Sequence, residues 1–327
     1  MAPRERYARL SGSELAHVWP KAAKRTRAGV EHRKPQCSLG PHSLTIMIAD
    51  WDTNHLFLSD RLEEHFPALF ASLRSVMTDV TIGIIPGTSD IWCRDYMPIQ
   101  LAEDRFCQFV YQPDYLREYK NLVTPPERCR LPFMKHCCRE AIVLDGGNVV
   151  ASRTRVILTE KIYKENPSIE RPRLRSRLED IFQAECIFIP KEPYDTIGHS
   201  DGVVRFVADD RVLINDYSGV DPAYGTRLRT LLEKKGLEVE TLPMLQEEAR
   251  RQPGELHSAV GLYINYLRVG DVVVVPGYGR PEDEAALERV RVVMPDARVF
   301  QLSCRGLAEK GGVLNCVSWS IKAMIQE

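Results

Sequence analysis

Four short polar stretches of the 327-residue chain follow strand-like apolar runs and carry side chains fit for chemistry. They are Asp90-Ile91-Trp92-Cys93-Arg94-Asp95, Leu144-Asp145-Gly146-Gly147-Asn148, Ile197-Gly198-His199-Ser200-Asp201 and Gly311-Gly312-Val313-Leu314-Asn315-Cys316. Cys316 is the candidate nucleophile. Its reactive form is the thiolate, and an unperturbed thiol pKa of about 8.5 leaves little of it at neutral pH, so a cation, a base or a helix N-terminus must stand nearby. A helical pattern over Ser318–Gln326 places such an N-terminus just beyond it. An inert buried thiol is the other reading of the same residue. His199 titrates near neutrality and can act first as acid and then as base. His-x-Asp alone also fits a surface turn or part of a metal site.

The carboxylates are the informative part of the set. Asp95, Asp145 and Asp201 around a Cys/His pair would repel a developing oxyanion, which disfavours acyl transfer. They suit a flat cation instead, because carboxylates grip a guanidinium through paired, charge-assisted hydrogen bonds. Each aspartate taken singly also fits a helix or turn cap, and Arg94 a neutralising neighbour of Asp95.

The elements that must position these loops alternate along the chain. Strand-like runs occur at LTIMIAD (44–50), VTIGIIPG, CQFVYQ, AIVLDGG, NVVASRTRVILTEKI, CIFIP, GVVRFVADDRVLIND, VETLP, DVVVVPGYG and ARVFQLS. Helical patterns fill 59–77, Arg171–Gln183, Pro222–Lys235, Pro281–Val293 and Ser318–Gln326. The turn at Asp209-Asp210 reads as a hairpin. No linker-like composition divides the chain after residue 43, so 44–327 reads as a single mixed α/β domain of repeated small units. Residues Gln112 to Lys135 carry Pro113, Pro125, Pro126 and Pro132 and form the longest irregular stretch, a surface excursion able to border a site.

Composition narrows the partner. A formal net charge of −1 provides no general field for nucleic acid or an anionic membrane, so the expected partner is a small molecule. No apolar run nears the roughly 20 residues that span a bilayer. Residues 1–43 read as a poorly ordered basic leader, nine Lys/Arg facing three Asp/Glu within the first 42. Nine cysteines without CxxC pairing, and no signal-peptide core, imply a reducing cytoplasmic setting. His136-Cys137-Cys138 with Cys129 matches no zinc spacing, and these read as ordinary thiols with no metal.

In order and spacing, Trp92-Cys93-Arg94-Asp95, Asp145-Gly146-Gly147-Asn148, His199-Ser200-Asp201 and the glycine-led Cys316 together resemble the guanidino-group-modifying enzymes, in particular the agmatine deiminase and bacterial peptidylarginine deiminase family. Gly261–Tyr266, Val275–Gly279 and Pro281–Ala285 are similar to further stretches of that family. The resemblance implies a pentein fold, a fivefold pseudosymmetric α/β propeller of ββαβ-type units. It implies Cys316 as nucleophile, His199 as general acid/base, Asp95 and Asp201 as guanidinium clamps and Asp145 as the carboxylate that orients His199. Trp92, Arg94, Asn148 and Gly312 join them as substrate-binding candidates. The implied reaction is hydrolytic deimination of a small guanidino compound such as agmatine or arginine through a covalent thiouronium, with no cofactor. Amidino transfer to an amine and a non-catalytic pentein binding protein are the alternatives. A homodimer is the assembly the family suggests. The chain departs from the family at Asp145, where Glu is usual, and at Asn315, where many members have His. Arg205, Arg227 and Arg280 are available for a substrate carboxylate.

Overall fold

The structure, a computed structural model, describes residues 47–245 and 258–323. The basic leader expected over 1–43 lies outside the described residues. Fifteen strands among those described fall into five three-stranded sheets of one design. The first sheet joins β1 (His55–Ser59) and β2 (Thr81–Ile85) to the last strand, β15 (Ser318–Ile321). The second is β3 (Ile99–Ala102), β4 (Arg105–Val110) and β5 (His136–Val143), and the third β6 (Val150–Ala151), β7 (Arg155–Thr159) and β8 (Glu185–Ile189). β9 (Val204–Ala208), β10 (Arg211–Asn215) and β11 (Glu238–Leu242) make the fourth; β12 (Leu267–Val269), β13 (Val272–Gly277) and β14 (Arg298–Ser303) make the fifth.

In every sheet the central strand pairs antiparallel with one neighbour and parallel with the other. A parallel partner cannot be reached by a tight turn, so each unit needs a crossover. Helices α1 (Leu62–His65) and α2 (Pro67–Val76) serve the first, α4 (Lys161–Glu165) and α5 (Arg171–Phe182) the third, α6 (Pro222–Lys234) the fourth and α7 (Glu282–Val293) the fifth. The second unit crosses instead through three 3-10 turns within the proline-rich stretch. Single helical turns, α3 (Cys93–Tyr96) and α8 (Arg305–Ala308), sit in loops. Central strands covered on both faces read as unbroken apolar runs, and Val272–Gly277 of β13 is buried throughout. The repeated α/β units expected from the strand–helix rhythm are therefore present, with the C-terminal strand completing the first of them.

Three expectations give way. LTIMIAD supplies no strand over its described residues: Met47 N bonds to Arg153 O, and Asp50 begins a 3-10 turn (Asp50–Asp52) whose Asp50 carbonyl accepts from Gly270 N. The strand of this unit is β1, further on. The pattern over 59–77 is two helices, because Pro67 lacks the N–H that would carry one helix through. Ser318–Ile321 is not helix but β15, every residue buried and paired antiparallel with β1. Ladder partners 250 residues or more away in sequence override a local period read from the apolar spacing.

One buried acid in this frame yields a stability prediction. Asp90 accepts from Trp92 N through Oδ1 at 3.1 Å, while its Oδ2 is buried with no hydrogen-bond partner among the described residues. Burial, with Asp95 adding repulsion, pushes its pKa up to about 7. The folded protein thus holds this proton more tightly than the unfolded chain, so a penalty is absent below about pH 4, grows from there, and is complete above about 7. Asp90→Asn is expected to raise stability at pH 8 by about 1–3 kcal/mol and to add nothing near pH 4, as read from denaturant midpoints at both pH values.

Candidate active site

Each unit passes the chain to the next through a loop that leaves its parallel edge strand, β2, β5, β8, β11 or β14, and enters the first strand of the following unit. Asp95, Asn148, Asp201, Asn265 and Cys316 stand two to four residues before those entering strands, at intervals of 53, 53, 64 and 51 residues. Four of the five line one cavity of about 170 Å³; Asn148 is the exception. Trp92, His199 and Gly312 line it too, as does Tyr115 from the long crossover.

Cys316 is partly exposed to this cavity. Its Sγ lies 3.3 Å from Asn265 Oδ1 and 3.8 Å from Asp201 Oδ2. No helix follows it among the described residues, since β15 does, so the helix N-terminus expected to favour its thiolate is missing. Asp201 Oδ2 accepts from Asn315 Nδ2 at 2.7 Å. Asn315 therefore fixes this carboxylate.

On the other side, His199 is held between two acids. Its Nε2 is 3.0 Å from Asp145 Oδ2 and its Nδ1 3.5 Å from Asp95 Oδ1. Asp95 accepts in addition from Gly147 N at 3.0 Å and from Tyr115 Oη at 3.0 Å. Gly147 is required by closeness, since a Cβ there would stand 2.5 Å from His199 Nδ1 and 2.7 Å from Asp95 Oδ1. Gly312 is similar, with a Cβ falling 2.6 Å from the Trp92 ring.

Burial acts on His199, Asp95, Asp145 and Cys316, and the neighbours decide the outcome. It would lower the His199 pKa, but Asp95 and Asp145 outweigh it and bring the imidazole up to about 9. Burial with Asp145 and Asp201 raises Asp95 to about 6 against the pull of His199. Asp145 goes the other way, because its hydrogen bond to His199 and the charges of His199 and Lys161 overcome burial. Cys316 is driven well above the ordinary thiol value by burial and by Asp201 and Asp95. The empty cavity near neutral pH thus holds a neutral thiol, an imidazolium and acids gathered without enough cations to balance them.

Arg94, Asn148 and Asp145 do not line the cavity. Arg94 sits behind Cys316, its guanidinium on the Asn315 carbonyl and side-chain oxygens at 3.4 and 3.2 Å. Asn148 Oδ1 accepts from Thr159 N and Ser200 N, tying the Asp145 loop to the His199 loop. Both were expected to touch substrate; their side chains lie outside the cavity lining and bond neighbouring loops. Arg205 is spent on Asp50 and the Tyr266 carbonyl, and neither it, Arg227 nor Arg280 lines the cavity. His136, Cys137 and Cys138 are successive residues of β5, so their side chains alternate between faces and do not converge on one point.

Residues 15–321 match the profile of the Porphyromonas-type peptidyl-arginine deiminase family, nearly the whole chain. The chain belongs to that family. The match begins within the stretch 1–43 that reads as a leader. A relative from Latilactobacillus sakei is 24% identical over 98% of each chain, and the agmatine deiminase of Pseudomonas syringae pv. syringae 24% identical over 71% of this chain and 74% of its own. The aligned segments of the relatives from Streptococcus mutans and Enterococcus faecalis span 56% and 60% of those proteins, little more than half. Among solved structures, C. jejuni agmatine deiminase with substrate bound superposes at a TM-score of 0.70, with 17% identity over 85% of this chain and 96% of that one. The dimethylarginine dimethylaminohydrolase of Pseudomonas aeruginosa does so at 0.51, with 12% identity over 82% and 99%. The fold is the pentein fold of these proteins.

Asn265, Tyr115, Lys161 and Glu192 were not singled out as site residues. Asn265 lies in a stretch noted only as family-like, and Tyr115 in the irregular excursion. Counting back from Cys316 by the 53 residues that separate Asp95, Asn148 and Asp201 lands within two residues of Asn265, a signal that could have found it.

Proposed function

We propose that this family member hydrolyses the guanidinium group of a small substrate, Cys316 being the nucleophile. The observation that carries the reading is one cavity lined by a thiol, an imidazolium, one lysine and four carboxylates, so that acids outnumber cations. A guanidinium adds positive charge. Asp95 and Asp201 grip its N–H groups and hold its central carbon against Sγ, the positioning that makes the step effectively unimolecular. The incoming cation favours the thiolate, so Cys316 loses its proton on occupation of the site.

Sγ then forms a bond to the guanidinium carbon, and collapse of the adduct breaks one C–N bond. His199, whose Nε2 is engaged by Asp145, delivers a proton from Nδ1 to the departing nitrogen, which leaves as ammonia. The thiouronium left on sulfur is attacked by water, His199 now taking the proton. The C–S bond breaks, restoring the thiolate and releasing a ureido product.

The cavity also favours a second cation at some distance from the first. Glu192 lines it, fixed by Tyr217 Oη donating to Oε2 at 2.9 Å, and burial together with nearby Asp195 raises its pKa to about 7. Asp195 is itself occupied, its oxygens accepting from Ile197 N and Gly198 N. Lys310 is the one lysine or arginine among the described lining residues. An amine-bearing guanidine such as agmatine suits this wall better than the α-carboxylate of arginine.

A panel of agmatine, arginine and a plain alkylguanidine, read for ammonia and ureido product, tests both levels, and an added acceptor amine separates hydrolysis from amidino transfer. No turnover of any guanidino compound by folded protein overturns the reaction. Glu192→Gln is expected to raise KM for agmatine about tenfold or more, the size of a charge-assisted hydrogen bond of roughly 1.5–3 kcal/mol, and to leave the alkylguanidine unaffected. Equal effects on both substrates would remove Glu192 from amine recognition.

A further inference from the structure

Behind His199 lies a second group of charges that the chemistry above does not use. Lys161, the first residue of α4, is buried, its side chain only 4% exposed. Its Nζ lies 3.1 Å from Asp145 Oδ2, 2.9 Å from Glu165 Oε1 and 3.5 Å from Asp114 Oδ1. It also stands 5.2 Å from the centre of the Tyr115 ring, whose hydroxyl binds Asp95. Asp145 Oδ2 accepts from His199 and Lys161 together, while Asp145 Oδ1 is buried with no hydrogen-bond partner among the described residues. All the hydrogen bonding of this carboxylate passes through one atom.

We infer that Lys161 is a positioning residue for the reaction: it grips the same Asp145 oxygen that binds the imidazole, and so fixes both the stance of that ring and its hold on its proton. The inference rests on the role given to His199 above. A carboxylate anchored by one oxygen needs a second fixed donor to keep it from turning away. A buried ammonium also keeps Asp145 ionised where burial alone would protonate it.

The charges facing this centre are the carboxylates Asp95, Asp114, Asp145, Glu165 and Asp201 and the cations His199 and Lys161. Lys161 disfavours the protonated imidazole through space, and Glu165 favours it. The two substitutions therefore push in opposite directions. Lys161→Met is expected to lower kcat about ten- to a hundredfold, a part of what general acid–base catalysis contributes, with KM for the guanidine within about threefold. It also moves the titration of His199, followed by imidazole NMR, to higher pH, by about one unit. Glu165→Gln moves it to lower pH, and Lys161→Arg, which keeps the charge, restores the wild-type position.

A residue that merely fills space would lower melting temperature and leave the titration of His199 in place. Titrations of Lys161→Met and Glu165→Gln that both superimpose on wild type overturn the inference. Should Lys161→Met fail to fold, the acid shift of Glu165→Gln decides it alone. The NMR titration needs no turnover, so an inactive wild type would overturn the proposed reaction and leave this coupling to be judged separately.

Discussion

Cys316→Ala releases no measurable ammonia from a guanidino substrate that the wild type turns over, a fall of at least about 10⁴-fold, yet still binds it. The size follows from the lack of a substitute: among the described lining residues Cys316 alone supplies a thiol, and Asn265 and Asp201 beside it are acceptors. Binding survives because the clamps are elsewhere. Asp95 keeps its bonds to Gly147 and Tyr115, and Asp201 its bond to Asn315. The empty-site thiol is neutral, so its loss removes no charge. Substrate at about a hundred times its Kd should therefore raise the stability of the alanine variant by about 2.7 kcal/mol, as it does for any ligand that binds only the folded state. An alanine variant that retained activity would end the assignment of Cys316; one that neither reacts nor binds would mean that sulfur holds the clamps in place.

The pH dependence is the second large effect, and its sign is unusual. The proposed reaction pairs a thiolate with an imidazolium, whereas the site without substrate near neutrality holds a thiol and an imidazolium, one proton more. That extra proton must leave before or during capture of substrate. For free enzyme the first of the pair to lose a proton is His199, at about 9, and the thiolate–imidazolium form is the minor tautomer of the resulting state. kcat/KM is therefore expected to climb about tenfold per unit up to pH about 9, roughly 10³-fold from pH 6, and to fall more steeply below about 6 as Asp95 is protonated.

In the occupied site the bound cation favours loss of the same proton, so kcat should level off at lower pH than kcat/KM. His199→Asn loses about 10²–10⁴-fold and, with no imidazole left to titrate, removes the break near 9. A wild-type kcat/KM that is flat from pH 6 to 9 would show that the enzyme waits with its thiolate already formed, against the burial and the two acids beside it.

Much of this site was legible before any coordinates. Cys316, His199, Asp95 and Asp201 stand in loops after apolar strands, and their residue types already pointed to a flat cation. The repeated strand–helix rhythm likewise anticipated units of one design. Where reading failed, the deciding contacts were remote. Ser318–Ile321 has apolar spacing that fits a helix, and only pairing with β1, at the far end of the chain, makes it a strand. Arg94 and Asn148 sit among site residues in sequence, but the side chains turn to Asn315 and to the Thr159 and Ser200 amides. Asp95 and Arg94 are neighbours facing different ways, which no linear motif records.

The amino-acid sequence determined the chemistry available: which loops hold a sulfur, an imidazole and acids, in what order, on an alternating α/β scaffold. Local pattern suffices for that, because a strand, a turn and a reactive side chain are each specified within a few residues. Tertiary structure alone decided which groups share the cavity, that Lys161 and Glu165 stand behind His199, and in which direction each proton is held. Those outcomes depend on burial and on charges a few ångströms apart in space yet tens to hundreds of residues apart along the chain.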